Sequence, residues 1–139
     1  MIQEVSKVEP VEVWKNFVLL NQVPRPSKKE ERVIEFLISF AKENTLKYQQ
    51  DEIGNLVITK EGTTDMSANE TVVLQSHVDM VHEKNNEVEF DFINSGIKMY
   101  VDGDWVKASG TTLGADNGLG VAAIMAVLES KEISHPKIE

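Results

Sequence analysis

The sequence predicts an α/β domain, three layers deep (α/β/α) with a mixed central sheet, and three observations carry that expectation. A capping-box motif, Ser27-Lys28-Lys29-Glu30, opens a strongly amphipathic segment. A continuous run of β-branched and aliphatic residues, Thr71-Val72-Val73-Leu74, has no polar face, as expected of a strand covered on both sides. A segment apolar nearly all round, Leu119 to Ser130, follows a glycine-punctuated turn. Helix, hairpin, buried strand, hairpin, buried helix is an α/β order.

The first helix follows Pro10. Trp14, Phe17, Val18 and Asn21 recur at i, i+3, i+4, i+7, Val13 and Leu20 widen the stripe, and Pro24 and Pro26 end it. The second spans 28–43, with Ser27 and Glu30 reciprocally satisfying its first N–H groups and Val33, Phe36, Leu37, Phe40 and Ala41 forming its apolar face. The period then changes. Leu46 to Gln50 and Leu56 to Thr59 read as strands joined by Asp51-Glu52-Ile53-Gly54-Asn55. Glu61 to Glu70 is an exposed loop by composition, and Thr71 to Gln75 is expected as an interior strand flanked by the helices 28–43 and 117–130. Residues 81–96 form a long charged loop, a length that often marks function. Ile97 to Val101 and Trp105 to Ala108 form a second hairpin turned at Asp102-Gly103-Asp104, with Trp105 packed on it. The last helix carries Gly118, Gly120, Ala122, Ala123 and Ala126, which would let it approach a sheet closely.

At 139 residues the chain is one domain, and 23 acidic against 14 basic side chains leave a net charge of −9. That balance repels phosphate backbones, so nucleic acid is not expected as a partner. The absence of cysteine excludes a disulfide scaffold, a thiolate nucleophile and Cys-ligated metal sites. Residues 1–13 contain no apolar signal core, and the apolar stretch Gly118 to Leu128 is shorter than the ~20 residues that cross a bilayer. A soluble, cytoplasmic protein with no membrane partner is the expectation. No Gly-x-Ser-x-Gly elbow and no P-loop lysine occurs.

The candidate chemistry lies at His77, Asp79 and Asp116. His77 and Asp79 follow the buried run, where α/β sheets bind ligands, and alternate residues of an extended segment face one side. That geometry suits an imidazole metal ligand oriented by a carboxylate, although alone the pair reads more readily as hydrogen-bonded partners. Asp116 could be a helix N-cap. The flanking glycines of Gly114-Ala115-Asp116-Asn117-Gly118 suit instead a strained turn that presents one carboxylate inward. His82 reads as a solvated loop histidine, His135 as a surface one, and Glu83, Glu87, Glu89 and Asp91 as a solvated acidic face.

Together these signals carry a resemblance. Leu74-Gln75-Ser76-His77-Val78-Asp79-Met80-Val81, followed by Gly110-Thr111-Thr112-Leu113-Gly114-Ala115-Asp116-Asn117-Gly118, resembles the aminoacyl-histidine (Xaa-His, carnosinase-like) dipeptidases of the dinuclear-zinc peptidase class. Pro24-Arg25-Pro26-Ser27, Gly54-Asn55-Leu56, Lys84-Asn85-Asn86 and Asp102-Gly103-Asp104-Trp105-Val106 are similar to the same branch. The resemblance implies His77 as a ligand of one zinc and Asp116 as the bridge between two. It implies Asp79 as the catalytic-site acid that clamps the imidazole, and a cis Asp116–Asn117 peptide. The implied reaction is metal-assisted amide hydrolysis of a dipeptide substrate, with two Zn²⁺ polarising the carbonyl and acidifying a water whose proton a glutamate takes.

The family's Glu-Glu pair, a further Asp and a distant His have no counterpart in these residues, and Glu139 is not that base. The resemblance therefore implies that residues 1–139 are the N-terminal portion of the catalytic domain and inactive alone. Any homodimer would form through a lid and dimerisation domain outside this sequence. Another amide hydrolase of the class (a deacylase or tripeptidase) and a non-catalytic binding or structural fragment are the alternatives.

Overall fold

The computed structural model describes residues 2–139, and among them four helices and two small antiparallel sheets form an α/β arrangement: α1 (Ile2–Val5), α2 (Val11–Asn21), α3 (Glu31–Glu43), β1 (Lys47–Gln50), β2 (Leu56–Thr59), β3 (Met99–Asp102), β4 (Trp105–Ala108) and α4 (Ala115–Glu129). Both hairpins lie where turn chemistry placed them. Lys47 faces Thr59 and Gln50 faces Leu56, while Asp51 Oδ1 accepts the N–H groups of Ile53, Gly54 and Asn55 at 3.0, 2.8 and 2.8 Å and so shapes the connection. In the second hairpin Asp102 faces Trp105, and Gly103 supplies the left-handed residue of the two-residue turn at φ +59°.

The first hairpin extends into a mixed row. Lys60 pairs antiparallel with Ile138, and Ile138 pairs in parallel with Val72. The N–H groups of Val72 and Leu74 donate to Lys137 and Glu139 carbonyls at 2.9 and 2.8 Å. The α/β class and mixed pairing agree with the sequence, but the expected interior strand at Thr71–Gln75 does not. It makes a single bridge, Val73 is 69% exposed, and Val72 is also exposed. A strand is buried on both faces only when elements cover both. Here Val73 and Leu74 border an open groove of about 990 Å³ between α3, the first hairpin and α4.

Two cores hold the domain. Val33, Leu37 and Phe40 of α3 meet Leu20, Val121, Met125, Leu128 and Ile138, and the first hairpin contributes Leu56 and Ile58. Phe17 and Val18 of α2 meet Val5, Met80, Ile97, Met99 and Ala122 in the second, with Phe90 and Phe92 of the long loop at its edge. The unanticipated α1 contributes Val5 there. The small residues of α4 serve helix–helix packing, since α4 lies chiefly against α2 rather than on a sheet. Asn16 Nδ2 and Glu129 Oε1, 2.8 Å apart, tie the middle of α2 to the last residue of α4.

Three local expectations are corrected. The Ser27–Glu30 capping box is not formed: α3 starts at Glu31 without a side-chain cap, Glu30 Oε1 accepts the Lys28 N–H, and the Ser27 hydroxyl is engaged elsewhere. Trp105 is 71% exposed, because strand alternation turns Val106 and Ala108 inward and Trp105 and Lys107 outward. His135 is buried rather than at the surface, drawn in where residues 135–138 run beside residues 60–63, just beyond β2, with its backbone N–H donating to Thr63 Oγ1 at 3.1 Å.

Candidate functional site

The two motif strings are laced together before any side chain is considered. Residues 81–85 run against 110–112: Lys84 bridges Thr111, the Asn85 N–H reaches the Gly110 carbonyl at 2.9 Å, the Thr112 N–H reaches the Glu83 carbonyl at 2.9 Å, and Thr112 Oγ1 donates to the Val81 carbonyl at 2.7 Å. On the other side, Arg25 to Ser27 run parallel to residues 79–80, with the Met80 N–H on the Arg25 carbonyl and the Ser27 N–H on the Met80 carbonyl.

This lacing brings His77, Asp79 and Asp116 together. His77 Nδ1 is 3.0 Å from Asp79 Oδ1, and Nε2 is 3.1 Å from Asp116 Oδ1. Asp79 uses its second oxygen as well: Ser27 Oγ donates to Oδ2 at 2.5 Å. The chain thus forms a relay of Ser27, Asp79, His77 and Asp116, with each ring nitrogen committed to one carboxylate. Asp116 is not a helix cap. Asp116 and Asn117 have non-helical backbone angles, the regular helix begins at Gly118, and Asn117 Oδ1 takes the capping role by accepting the Gly120 N–H at 3.1 Å. The Asp116–Asn117 peptide is cis. With the cap supplied by its neighbour, the Asp116 carboxylate faces solvent, 95% exposed, rather than inward as the flanking glycines suggested, and meets only His77.

The electrostatics follow the contacts. Hydrogen bonding to Asp116, then to Asp79, raises the His77 pKa above its usual 6.5 despite slight desolvation. The Ser27 hydroxyl, and then the imidazole, hold Asp79 below the ordinary carboxylate range. In the metal-free chain the imidazolium is therefore favoured in the folded state. Its contribution to stability is present below pH 6.5 and is lost as pH rises through the elevated folded value. An NMR titration should place the His77 midpoint above 6.5, and Asp116→Asn should lower it; a midpoint at or below 6.5 in the wild-type chain would contradict this relay.

The donor chemistry fits part of a zinc site. A neutral imidazole Nε2 beside a carboxylate, with Nδ1 held by a second carboxylate, is the orientation metal-binding histidines adopt. Two donors do not close a site, and no group of three or more His, Asp or Glu side chains among the described residues could hold a metal ion. His82 stands apart, exposed, with its ring edge-on to Phe92 at 5.8 Å. Glu83, Glu87, Glu89 and Asp91 are exposed as expected, and Asp91 shapes its own turn by accepting the Ile93 N–H at 2.8 Å.

Three site-building residues escaped the reading of the motifs. They are Ser27, Asn117 and the buried Arg25, which is 1% exposed and whose pKa burial lowers to about 10 against the attraction of Asp79. The signal for Arg25 was present, since it is one of two arginines and stands between two prolines.

The fold matches part of the fold of solved peptidases. It is shared with a tripeptidase from Staphylococcus aureus at a TM-score of 0.71 over 91% of this chain and 34% of that one, where 24% identity supports the fold alone. The likeness to dipeptidases is much stronger. The aminoacylhistidine dipeptidase of Vibrio alginolyticus matches 96% of the chain with a TM-score of 0.94 and 43% identity. The cytosol non-specific dipeptidase of Escherichia coli (strain K12) is 42% identical over 138 residues, 99% of the chain. The resemblance to the aminoacyl-histidine dipeptidases thus stands. The chain spans 28% of the length of the Escherichia coli protein and 27% of the Vibrio chain. No family model matches the sequence.

Proposed function

We propose that residues 1–139 form the N-terminal portion of the catalytic domain of a zinc-dependent, cytoplasmic dipeptidase, with Xaa-His dipeptides among its substrates. The observation that carries this reading is the His77 imidazole held between Asp79 at Nδ1 and Asp116 at Nε2. In the proposed enzyme His77 would be a ligand of one zinc, Asp116 would be shared between two, and Asp79 would orient the imidazole. When bound, the pair of ions supplies Lewis-acid polarisation of the peptide carbonyl and a water of lowered pKa.

The chain's own residues have narrower tasks. Asp79, itself anchored by Ser27, fixes the ring plane and the tautomer that leaves Nε2 as a donor. Asp116 brings negative charge to the open edge, where a second cation can share it. The remaining donors and the general base would come from residues outside these 139, packing over the groove that Val73 and Leu74 border. The likeness to a protein named a cytosol dipeptidase supports the location. Among the described residues, no helix is long and apolar enough to cross a membrane.

Titration with Co²⁺, read by its visible absorption, tests the donor assignment. The wild-type chain should bind weakly, His77→Ala and Asp116→Ala should each abolish the signal, and binding should weaken with acid as the imidazole is protonated. Equal binding by wild type and both variants would sink the assignment and favour a structural fragment.

A further inference from the structure

We propose that Arg25 is the positioning residue of this site. Its buried guanidinium sets the separation of His77 and Asp116 by holding the backbone of both arms at once. The inference rests on the proposed site, but the contacts that carry it are independent of any metal. Nη1 donates to the Val78 carbonyl at 3.0 Å and, more loosely, towards that of Asp79 at 3.5 Å. Nη2 donates to the Gly114 carbonyl at 2.8 Å and to Asn21 Oδ1 at 2.7 Å. One planar fork therefore joins the segment bearing His77 and Asp79 to the turn that delivers Asp116. Asn21 extends the clamp, because its Nδ2 donates to the Leu113 carbonyl at 3.0 Å.

The glycines flanking Asp116 follow from this guanidinium. A Cβ at Gly114, whose φ is +71°, would stand 2.6 Å from Nη2, and one at Gly118 would stand 2.5 Å from the same atom. The turn needs small residues on both sides of Asp116 because Arg25, with Met80 at Gly114 and Phe17 at Gly118, occupies the space a Cβ would take. A lysine cannot substitute: its single ammonium has no rigid fork with which to span Val78 and Gly114. Burying a cation among carbonyls is costly without good geometry, and here the acceptors sit on the two segments whose spacing defines the site.

Arg25→Lys in the 139-residue chain tests this, with circular dichroism for folding, Co²⁺ affinity well below the unfolding temperature, and the nuclear Overhauser contact between the His77 ring and the Asp116 β-protons. Phe40→Leu, in the other core, serves as a destabilised control. The expected result is a folded Arg25→Lys chain that has lost the His77–Asp116 contact and about tenfold or more in Co²⁺ affinity, while Phe40→Leu loses stability and keeps both. Retention of the contact and wild-type affinity in Arg25→Lys would overturn the proposal, as would equal losses in Phe40→Leu. Should Arg25→Lys fail to fold, Asn21→Ala, which leaves the arginine and removes one acceptor, must weaken both the contact and the affinity; no change in either would overturn it. If the wild-type chain binds no Co²⁺, the donor assignment fails separately, and the His77–Asp116 contact in the variants alone decides the role of Arg25.

Discussion

A chimaera in which residues 1–139 replace the matching part of the Escherichia coli cytosol non-specific dipeptidase should hydrolyse dipeptides with added zinc, whereas the 139-residue chain alone should show no turnover. The chain aligns with that protein over 138 residues at 42% identity yet spans only 28% of it, and among the described residues no group of three or more His, Asp or Glu side chains could hold a metal ion. A base must lie within hydrogen-bond reach of the attacking water, and both nearby carboxylates are already committed to His77. In the active chimaera, His77→Ala and Asp116→Ala should each reduce turnover to background, the first by removing a ligand and the second by uncoupling the two metal positions. Asp79→Ala should cost roughly 10–100-fold, since only the partner that orients the ligand is lost. β-Alanyl-histidine assayed beside a dipeptide without histidine measures the specificity in the same experiment. Robust turnover by the isolated chain would overturn the fragment reading, and an unaffected Asp116→Ala chimaera would overturn the site.

The largest stability effect is expected at Phe17. Its ring is fully buried, packs edge-on to Trp14 at 5.8 Å, and lies against α4 where a Cβ on Gly118 would come within 2.9 Å of Cε2. Phe17→Ala would leave a cavity between α2 and α4 and should cost about 3–5 kcal/mol. That is a large part of the ~5–15 kcal/mol that holds a typical domain together. Urea denaturation should show the midpoint falling steeply or no folded baseline at all. A midpoint within error of the wild type would mean that the α2–α4 seam does not carry the second core.

Both hairpins and every helix but α1 were legible because their causes are local. Periodic apolar residues mark α2 and α3, Pro24 and Pro26 follow the end of the first, and the Asp51 and Gly103 turns set both hairpins. The motif at 27–30 misled for a reason of distance: Ser27 has the chemistry of a cap, but Asp79, 52 residues away, is a charged and therefore stronger acceptor for its hydroxyl. Val72 and Val73 misled in another way, since apolar composition shows that a strand could be covered and not that anything in these residues covers it.

By itself, the sequence determined the α/β class, the helices α2, α3 and α4, both hairpins and the three residues of the candidate site, because each is written in local pattern and motif. Only the tertiary structure decided which carboxylate meets which ring nitrogen and that Arg25 lies between the two arms. Those outcomes depend on contacts across as many as 89 residues of chain. Competing hydrogen-bond acceptors are ranked there by distance and burial, which no local window of sequence contains.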